Sequence, residues 1–174
     1  MSLIASFLLG GCSIFNRGSD VEATPVESVR VTLANSSSET VGEALLRQTV
    51  RGVLITLDLS AVPPGTHAMH IHSVGQCDPP AFDSAGDHFN PAGRSHGALD
   101  PQGMHAGDLP NVHAPESGRL RVDVLVENVM LAGGENGLFD ADGSSLVIHT
   151  FADDYRTDPS GNAGSRIACG VIGP

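Results

Sequence analysis

Several short stretches of the sequence alternate apolar and polar residues with a period of two. The first runs from Val29 to Leu33, and similar segments follow at Thr40 to Val50, Val53 to Leu59 and Leu120 to Val126. Successive side chains of a β-strand point to opposite faces, so this period is typical of half-buried strands. Three such segments precede any helical pattern. The sequence therefore predicts an all-β fold of antiparallel strands joined by hairpins.

Three further segments complete the predicted strands, at residues 66–73, 146–151 and 167–172. Between the strands lie two long stretches without a regular pattern, Val74 to about Gly118 and Ala152 to Arg166. Loops of this length are uncommon in a compact domain unless they are functional. The predicted fold is an antiparallel sandwich or barrel of about seven or eight strands with two long functional loops.

The charge of the chain excludes two classes of partner. The 174 residues suit one domain and carry a formal net charge of −11, and all nine cationic side chains are arginine. A nucleic acid or an anionic membrane surface requires clustered cations. We therefore expect neither as a partner.

The N-terminal segment is typical of an exported protein. Residues 3–11 form a short apolar run, and Leu9-Gly10-Gly11-Cys12 is similar to the lipobox of bacterial lipoproteins, whose cysteine is acylated. The sequence predicts a lipoprotein signal peptide over residues 1–12, a polar tether over 13–26 and one domain over 27–174. The alternative is a buried apolar N-terminus with a free thiol.

Export has consequences for location and for the other two cysteines. Ser13, directly after Cys12, resembles the outer-membrane type of lipoprotein. We expect a periplasmic or cell-envelope protein that contacts the membrane only through a lipid on Cys12. In that oxidising compartment Cys77 and Cys169 are candidates for a disulfide, with reduced structural thiols as the alternative.

Histidines are concentrated at positions where strand geometry brings them together. His70 and His72 share one face of a predicted strand, while Met69 and Ile71 take the core face. In another strand, His149 shares a face with Val147, opposite Leu146 and Ile148. Three imidazoles can therefore meet on the outside of the barrel and bind a metal.

A second set of metal-binding side chains is local in sequence. His88, His96, His105 and Asp108 fall within 21 positions of one Gly/Pro-rich loop. Three imidazoles and a carboxylate form a closed tetrahedral set suited to Zn²⁺, although imidazole-rich sets also suit Cu(II). His67 shares the inward face of Met69, so we expect it to be a hydrogen-bonded structural residue and not a ligand.

These residues lie in motifs that resemble the copper/zinc superoxide dismutase family of the bacterial exported type. The resemblance runs from about Val29 to Gly173. Its motifs are Gly65-Thr-His-Ala-Met-His-Ile-His72, Asp87-His-Phe-Asn-Pro91, His96-Gly97, His105-Ala-Gly-Asp-Leu109 and Gly161-Asn-Ala-Gly-Ser-Arg-Ile-Ala-Cys-Gly170. It implies an eight-stranded antiparallel Greek-key β-barrel or sandwich. It also implies dismutation of the superoxide anion to molecular oxygen and hydrogen peroxide.

The resemblance further implies one copper and one zinc ion per chain and a role for each site residue. The implied copper ligands are His70, His72, His88 and His149, and the implied zinc ligands are His88, His96, His105 and Asp108. His88 is then a shared imidazolate that also delivers a proton. Asp153 matches the acid that links a copper histidine to a zinc histidine, here His70 and His96.

Arg166 matches the substrate-guiding arginine of the family. Because the chain has no lysine, we expect its substrate to be steered less strongly than in lysine-rich relatives. The resemblance leaves monomer or homodimer open.

Two other functions compete with the enzyme. A lipoprotein that stores or delivers copper or zinc would need neither Arg166 beside the copper site nor a shared ligand. A cupin-type oxygenase is suggested by His70 and His72 but expects a glutamate soon after them, and none occurs between Ser73 and Pro80. Both observations favour the dismutase.

Overall fold

The computed structural model describes residues 27–173, which form an all-β domain. The strands, in chain order, are β1 (Ser28–Asn35), β2 (Thr40–Thr49), β3 (Gly52–Leu59), β4 (Gly65–His67), β5 (Met69–His72), β6 (Val112–Ala114), β7 (Leu120–Glu127), β8 (Ser144–His149) and β9 (Arg166–Ile172). Within the described residues the only helical element is a single 3-10 turn at Asp83–Ala85. The all-β prediction is confirmed.

Seven strands form one curled antiparallel sheet in the order β5-β8-β9-β1-β2-β3-β7, and β4 pairs with β6. The hairpins β1–β2 and β2–β3 follow the predicted alternation, and β3 pairs with β7 along its whole length, from Gly52 opposite Glu127 to Leu59 opposite Leu120. One face of the sheet curls around the hydrophobic core. The core includes Val31, Leu33, Leu46, Ile55, Leu57, Val124 and Ile148.

The predicted strand over residues 66–73 is divided in two. Its first part, β4, pairs with β6, and its second part, β5, pairs with β8. Between them the amide of Ala68 donates to Phe151 O, and Ala68 O accepts from the amide of His149. The chain changes partners at Ala68, and β6 lies inside a segment that the sequence predicts to be a loop. Pairing choices of this kind depend on distant segments, so local alternation does not reveal them.

Disulfide bonding fixes the first long loop to the sheet. Cys77, in the loop after β5, is bonded to Cys169 in β9, and their Cα atoms are 5.7 Å apart. Cys169 packs with Phe82, Ala85 and Val147 in a small apolar cluster outside the main core. The predicted disulfide is confirmed, and it holds this loop over the face that carries the histidines.

The predicted signal peptide, the lipobox cysteine Cys12 and the tether over residues 13–26 lie outside the described residues. Within residues 27–173, no helix is long and apolar enough to cross a bilayer.

Candidate metal centre

Strand parity places three histidines on one face of the sheet. Met69 and Ile71 of β5 point into the core, and His70 and His72 point away from it. His149 ends the neighbouring strand β8 on the same side. The three histidines lie on the face opposite the core, as expected, but the long loops cover that face. His70 and His72 are 0% exposed and His149 is 3% exposed.

The structure brings the sequence-predicted ligands into two buried groups. One holds His70, His72, His88 and His149, and the other holds His88, His96, His105 and Asp108. In each group the candidate ligand atoms lie within 4.8 Å of one another. His88 belongs to both groups, so the two centres share one imidazole.

The second group has the dimensions of a zinc site. Asp108 Oδ1 lies 2.8 Å from His88 Nδ1 and 3.1 Å from the Nδ1 atoms of His96 and His105. His88 Nδ1 and His105 Nδ1 are 3.4 Å apart. Bonds of about 2.0–2.1 Å in a tetrahedral zinc site place the ligand atoms about 3.3–3.4 Å from each other. The donor set therefore fits a tetrahedral zinc ion with little rearrangement.

The first group offers nitrogen atoms that lack any other partner. His70 Nδ1 and His88 Nε2 are buried without a hydrogen-bond partner among the described residues, as is His96 Nδ1 of the second group. His72 Nε2 and His149 Nε2 face each other at 3.4 Å. A buried polar atom left unpaired costs about 1–3 kcal/mol. Convergent unpaired imidazole nitrogens thus fit a metal that accepts nitrogen ligands, such as copper.

Asp153 connects the two groups without joining either. Its Oδ2 lies 2.9 Å from His70 Nε2, and His96 Nε2 lies 3.0 Å from both carboxylate oxygens. The two imidazoles use their Nε2 atoms here and leave Nδ1 for a metal. Such a carboxylate fixes the ring orientation and raises the basicity of a ligand. A Cβ on Gly161 would lie 1.9 Å from Asp153 Oδ1, so only glycine leaves room for this contact.

Burial keeps three of these imidazoles neutral. Burial lowers the pKa of His72 to about 2, that of His149 to about 3 and that of His88 to about 4, and neighbouring imidazoles act in the same direction. A neutral imidazole can donate its lone pair to a metal at neutral pH.

His96 differs from these three. Burial acts to lower its pKa, but the carboxylates of Asp108 and Asp153 outweigh burial and raise the pKa to about 9. Burial likewise acts to raise the pKa of both carboxyl groups, and their hydrogen bonds with histidines and backbone amides hold it well below its ordinary value. Without metal, His96 is therefore a cation between two anions.

The first group opens onto a cavity of about 800 Å³. His72, His88, His149 and Arg166 line it. Arg166 donates hydrogen bonds to Phe82 O at 2.5 Å and Gly86 O at 2.7 Å. A guanidinium has five N–H donors, so three are not used by these two bonds. The loop held by the disulfide supplies both carbonyl groups, which fix the side chain beside the metal-binding face.

His67 is a structural residue. It is 3% exposed, and its ring nitrogens lie 2.8 Å from His149 O and 2.8 Å from Pro63 O. It belongs to neither ligand group and supports the backbone of His149, in agreement with its predicted inward position.

Several residues of the centre carry no signal in the sequence. Asn111 and Tyr155 hold Asp153, and the Asp158 side chain accepts a hydrogen bond from the His96 amide at 2.7 Å. The contacts made by Asn111 and Asp158 join segments 42 and 62 positions apart, whereas Tyr155 lies two positions from Asp153. No spacing or alternation pattern predicts them.

Comparison with known proteins agrees with this geometry. The family described as copper/zinc superoxide dismutase matches residues 40–172. The chain is 52% identical to superoxide dismutase [Cu-Zn] 1 of Aquifex aeolicus over 142 residues, covering 80% of this chain and 84% of the relative. It is 44% identical to superoxide dismutase [Cu-Zn] of Caulobacter vibrioides over 134 residues, covering 75% and 77%.

Solved structures give the same result. A superoxide dismutase-like protein from Bacillus subtilis is similar, with a TM-score of 0.80 and 38% identity over 82% of this chain and 97% of that chain. The Cu/Zn superoxide dismutase from Brucella abortus has a TM-score of 0.70 and 28% identity over 84% of this chain and 99% of that chain.

Proposed function

Because the chain belongs to the copper/zinc superoxide dismutase family, we propose how its own residues divide the work of that enzyme. The enzyme dismutates superoxide to molecular oxygen and hydrogen peroxide and uses copper and zinc. We assign copper to His70, His72, His88 and His149, and zinc to His88, His96, His105 and Asp108. The shared position of His88, with Nδ1 in the zinc group and Nε2 free toward the copper group, carries this assignment.

When bound, copper supplies the one-electron oxidation and reduction of superoxide, and zinc supplies a fixed positive charge at a tetrahedral centre. Reduction to hydrogen peroxide requires protons close to the substrate. His88 Nε2 faces the copper group and has no protein partner among the described residues. We assign to this atom, when it is not bound to copper, the holding and delivery of one proton. Nδ1 of the same ring belongs to the zinc group and would keep the ring in place meanwhile.

Arg166 binds and orients the anionic substrate in this scheme. Its two hydrogen bonds to backbone carbonyls fix the guanidinium, and the residue lines the cavity. Burial lowers the pKa of Arg166, and the carboxylates of Asp83 and Asp87 oppose that effect. A fixed cation in a narrow cavity attracts an anion although the whole protein is acidic.

The charges around the cavity favour weak long-range steering. Arg94 and Arg166 are the two arginines or lysines among its described lining residues. Four acidic side chains also line it: Asp87, Glu135, Asp140 and Asp158. Beyond about 8 Å at physiological ionic strength these charges are largely screened. Capture of superoxide therefore depends mainly on Arg166 at short range.

Selective loss of each metal tests the ligand assignment. We expect His149→Ala to release copper and retain zinc, and His105→Ala to release zinc and retain copper. His113→Ala is the matched control, because His113 is exposed and its side chain forms a hydrogen bond only with Thr66 among the described residues. Metal content by mass spectrometry and superoxide consumption are measured together. Loss of zinc from His149→Ala or of either metal from the control would contradict the assignment.

We also propose that the protein is a lipoprotein of the cell envelope. The lipobox that ends at Cys12, the polar residues 13–26 and the disulfide-bonded domain support this location. Metabolic labelling with a fatty acid should mark the full chain and leave a Cys12→Ala variant unlabelled. Equal labelling of both proteins would refute the anchor. Sedimentation of the domain distinguishes a monomer from a homodimer, the two states that the resemblance leaves open.

A further inference from the structure

The backbone of Asp153 is held by one side chain from a distant loop. The Asp153 amide donates to Asn111 Oδ1 at 2.8 Å, and Asn111 Nδ2 donates to Asp153 O at 2.9 Å. The two residues are 42 positions apart. Asn111 thus satisfies both main-chain polar groups of Asp153, as a neighbouring strand would. This pairing fixes the residue that links the two ligand groups.

Tyr155 closes the same network from the other side. Its amide donates to Asp153 Oδ1 at 2.6 Å, and its hydroxyl oxygen accepts a hydrogen bond from the Asn111 amide at 2.7 Å. Its carbonyl accepts from the Leu99 amide at 3.0 Å, which ties it to the loop that carries His96. Four hydrogen bonds therefore join Asp153, Asn111 and Tyr155 to one another.

The position of the Asp153 carboxylate decides how two metal-binding rings are turned. Asp153 is 3% exposed and contacts one imidazole of each group, His70 and His96, at 2.9–3.0 Å. Hydrogen bonds lose strength steeply with distance and angle, so a small displacement of the carboxylate weakens both contacts together. Gly97 packs against Tyr155 so closely that a Cβ there would lie 2.2 Å from Tyr155 O. The hydrogen bonds among Asp153, Asn111 and Tyr155 have little room to shift without moving the loop that carries His96 and Gly97.

We propose that Asn111 and Tyr155 are positioning residues that set the Asp153 carboxylate and, through it, the orientation of His70 and His96. Among the described residues, neither Asn111 nor Tyr155 forms a hydrogen bond with a ligand of either metal group, and their hydrogen bonds reach these ligands through Asp153. The proposal rests on the ligand assignment made above. Its consequence is that zinc affinity and the copper environment depend together on two residues outside both ligand sets.

Three substitutions separate the contacts. Asn111→Ala removes both hydrogen bonds to the Asp153 backbone. Asn111→Asp keeps an oxygen for the Asp153 amide and loses the donor to its carbonyl. Tyr155→Phe removes only the hydroxyl that accepts from the Asn111 amide. The matched control is Asn35→Ala, since the Asn35 side chain makes three hydrogen bonds in the β1–β2 turn, far along the chain from any metal ligand.

Zinc affinity is measured on full-length protein by competition with a chelator, and Cu(II) electron paramagnetic resonance is recorded on zinc-and-copper-loaded protein. Partners of ligating groups typically contribute 10–100-fold to metal affinity. We expect about tenfold weaker zinc binding in Asn111→Ala, a smaller loss in Asn111→Asp and about two- to fivefold in Tyr155→Phe. The copper spectrum should change in the same order. Thermal unfolding of the metal-free proteins measures any general loss of stability.

The control decides between positioning and simple destabilisation. Asn35→Ala should lower the melting temperature while zinc affinity and the copper spectrum stay unchanged. If Asn111→Ala does not fold, the same readouts on Tyr155→Phe, whose ring is retained, carry the test. Zinc affinity within twofold of wild type and an unaltered copper spectrum in the folded variants would overturn the proposal, as would equal changes in the control. The Asp108→Ala variant distinguishes failure of the ligand assignment from failure of this proposal. If the ligand assignment is wrong, that variant keeps the zinc affinity of the wild type.

Discussion

Reduction of the Cys77–Cys169 disulfide should destabilise the domain and disturb Arg166 at the same time. The bond joins the loop after β5 to β9 across 92 positions. Between the two cysteines in sequence lie both carbonyl groups that accept hydrogen bonds from Arg166, on Phe82 and Gly86. Cutting the link leaves that loop held by a small apolar cluster and a few backbone hydrogen bonds.

The magnitude follows from the length of the closed loop. Loop entropy in the unfolded chain falls by about 15–16 cal/mol/K for a separation of this size, which corresponds to about 4.6 kcal/mol at 25 °C. Strain and residual structure usually lower the realised value, so we expect a loss of about 3–4.6 kcal/mol. In a domain of this size each kcal/mol shifts the melting temperature by about 2–4 °C. The reduced protein should therefore melt about 6–18 °C lower.

Denaturant unfolding of metal-free protein, with and without reductant, measures this loss. A Cys77→Ala/Cys169→Ala variant serves as the control, because reductant should have no effect on it. If reductant does not change the denaturant concentration at which half of the wild-type protein is unfolded, the loop-entropy argument is refuted. Loading the variant with both metals then tests the second effect: superoxide turnover per bound copper should fall, because Arg166 loses its fixed anchors. Full turnover per copper would show that the sheet alone positions the guanidinium.

Four further predictions concern the metal centre. Arg166→Ala should leave both metals bound and lower the second-order rate by about tenfold or more, and stopped-flow kinetics with an unchanged rate would remove the residue from the mechanism. Asp108→Ala should weaken zinc binding by about 100-fold or more while copper stays bound, and chelator competition that finds stoichiometric zinc would count against the ligand set. The His96 imidazole, with a pKa of about 9, must lose its proton before it can bind zinc. Zinc affinity should therefore rise by up to about tenfold per pH unit as pH rises toward 9, and then level off. A zinc affinity that does not change with pH would contradict this displacement of a proton. The rate should fall only about twofold or less between low and physiological ionic strength, since four acidic side chains line the same cavity as Arg94, and a steep decline would contradict weak steering.

The same raised pKa has a defined effect on the metal-free fold. A group whose folded pKa lies above its unfolded value stabilises the protein fully below the unfolded pKa and ceases to do so as pH rises through the folded one. For His96 that window runs from about 6.5 to about 9. His72, His88 and His149 have lowered values, so their contribution is present above about 6.5 and is lost as pH falls toward 4 and below.

Residues placed by short-range rules could be predicted from the sequence, and residues placed by long-range contacts could not. His70 and His72 could be assigned to one face because the period of a strand is two. Residue types and spacing identified the zinc group, since its four members lie in one loop. Burial of these side chains depends on the path of two long loops, and that path is set by the disulfide and by contacts such as Asn111 with Asp153. The change of sheet partner at Ala68 has the same origin.

The division of ligands between strands and loops explains why two linked centres suit this fold. The sheet supplies His70, His72 and His149, whose backbones are fixed by pairing between β5 and β8. The loops supply the other ligands. His88 and Asp108 are held by isolated bridges to β5, whereas His96 and His105 lie outside any strand pairing. A tetrahedral ion can order such loops, whereas a redox ion needs ligands that hold still as its charge changes. His88 and Asp153 are the two joints between these parts, one a shared ring and the other a carboxylate. The zinc group can therefore set the geometry of the copper site at two points, although three of the four copper ligands come from the sheet.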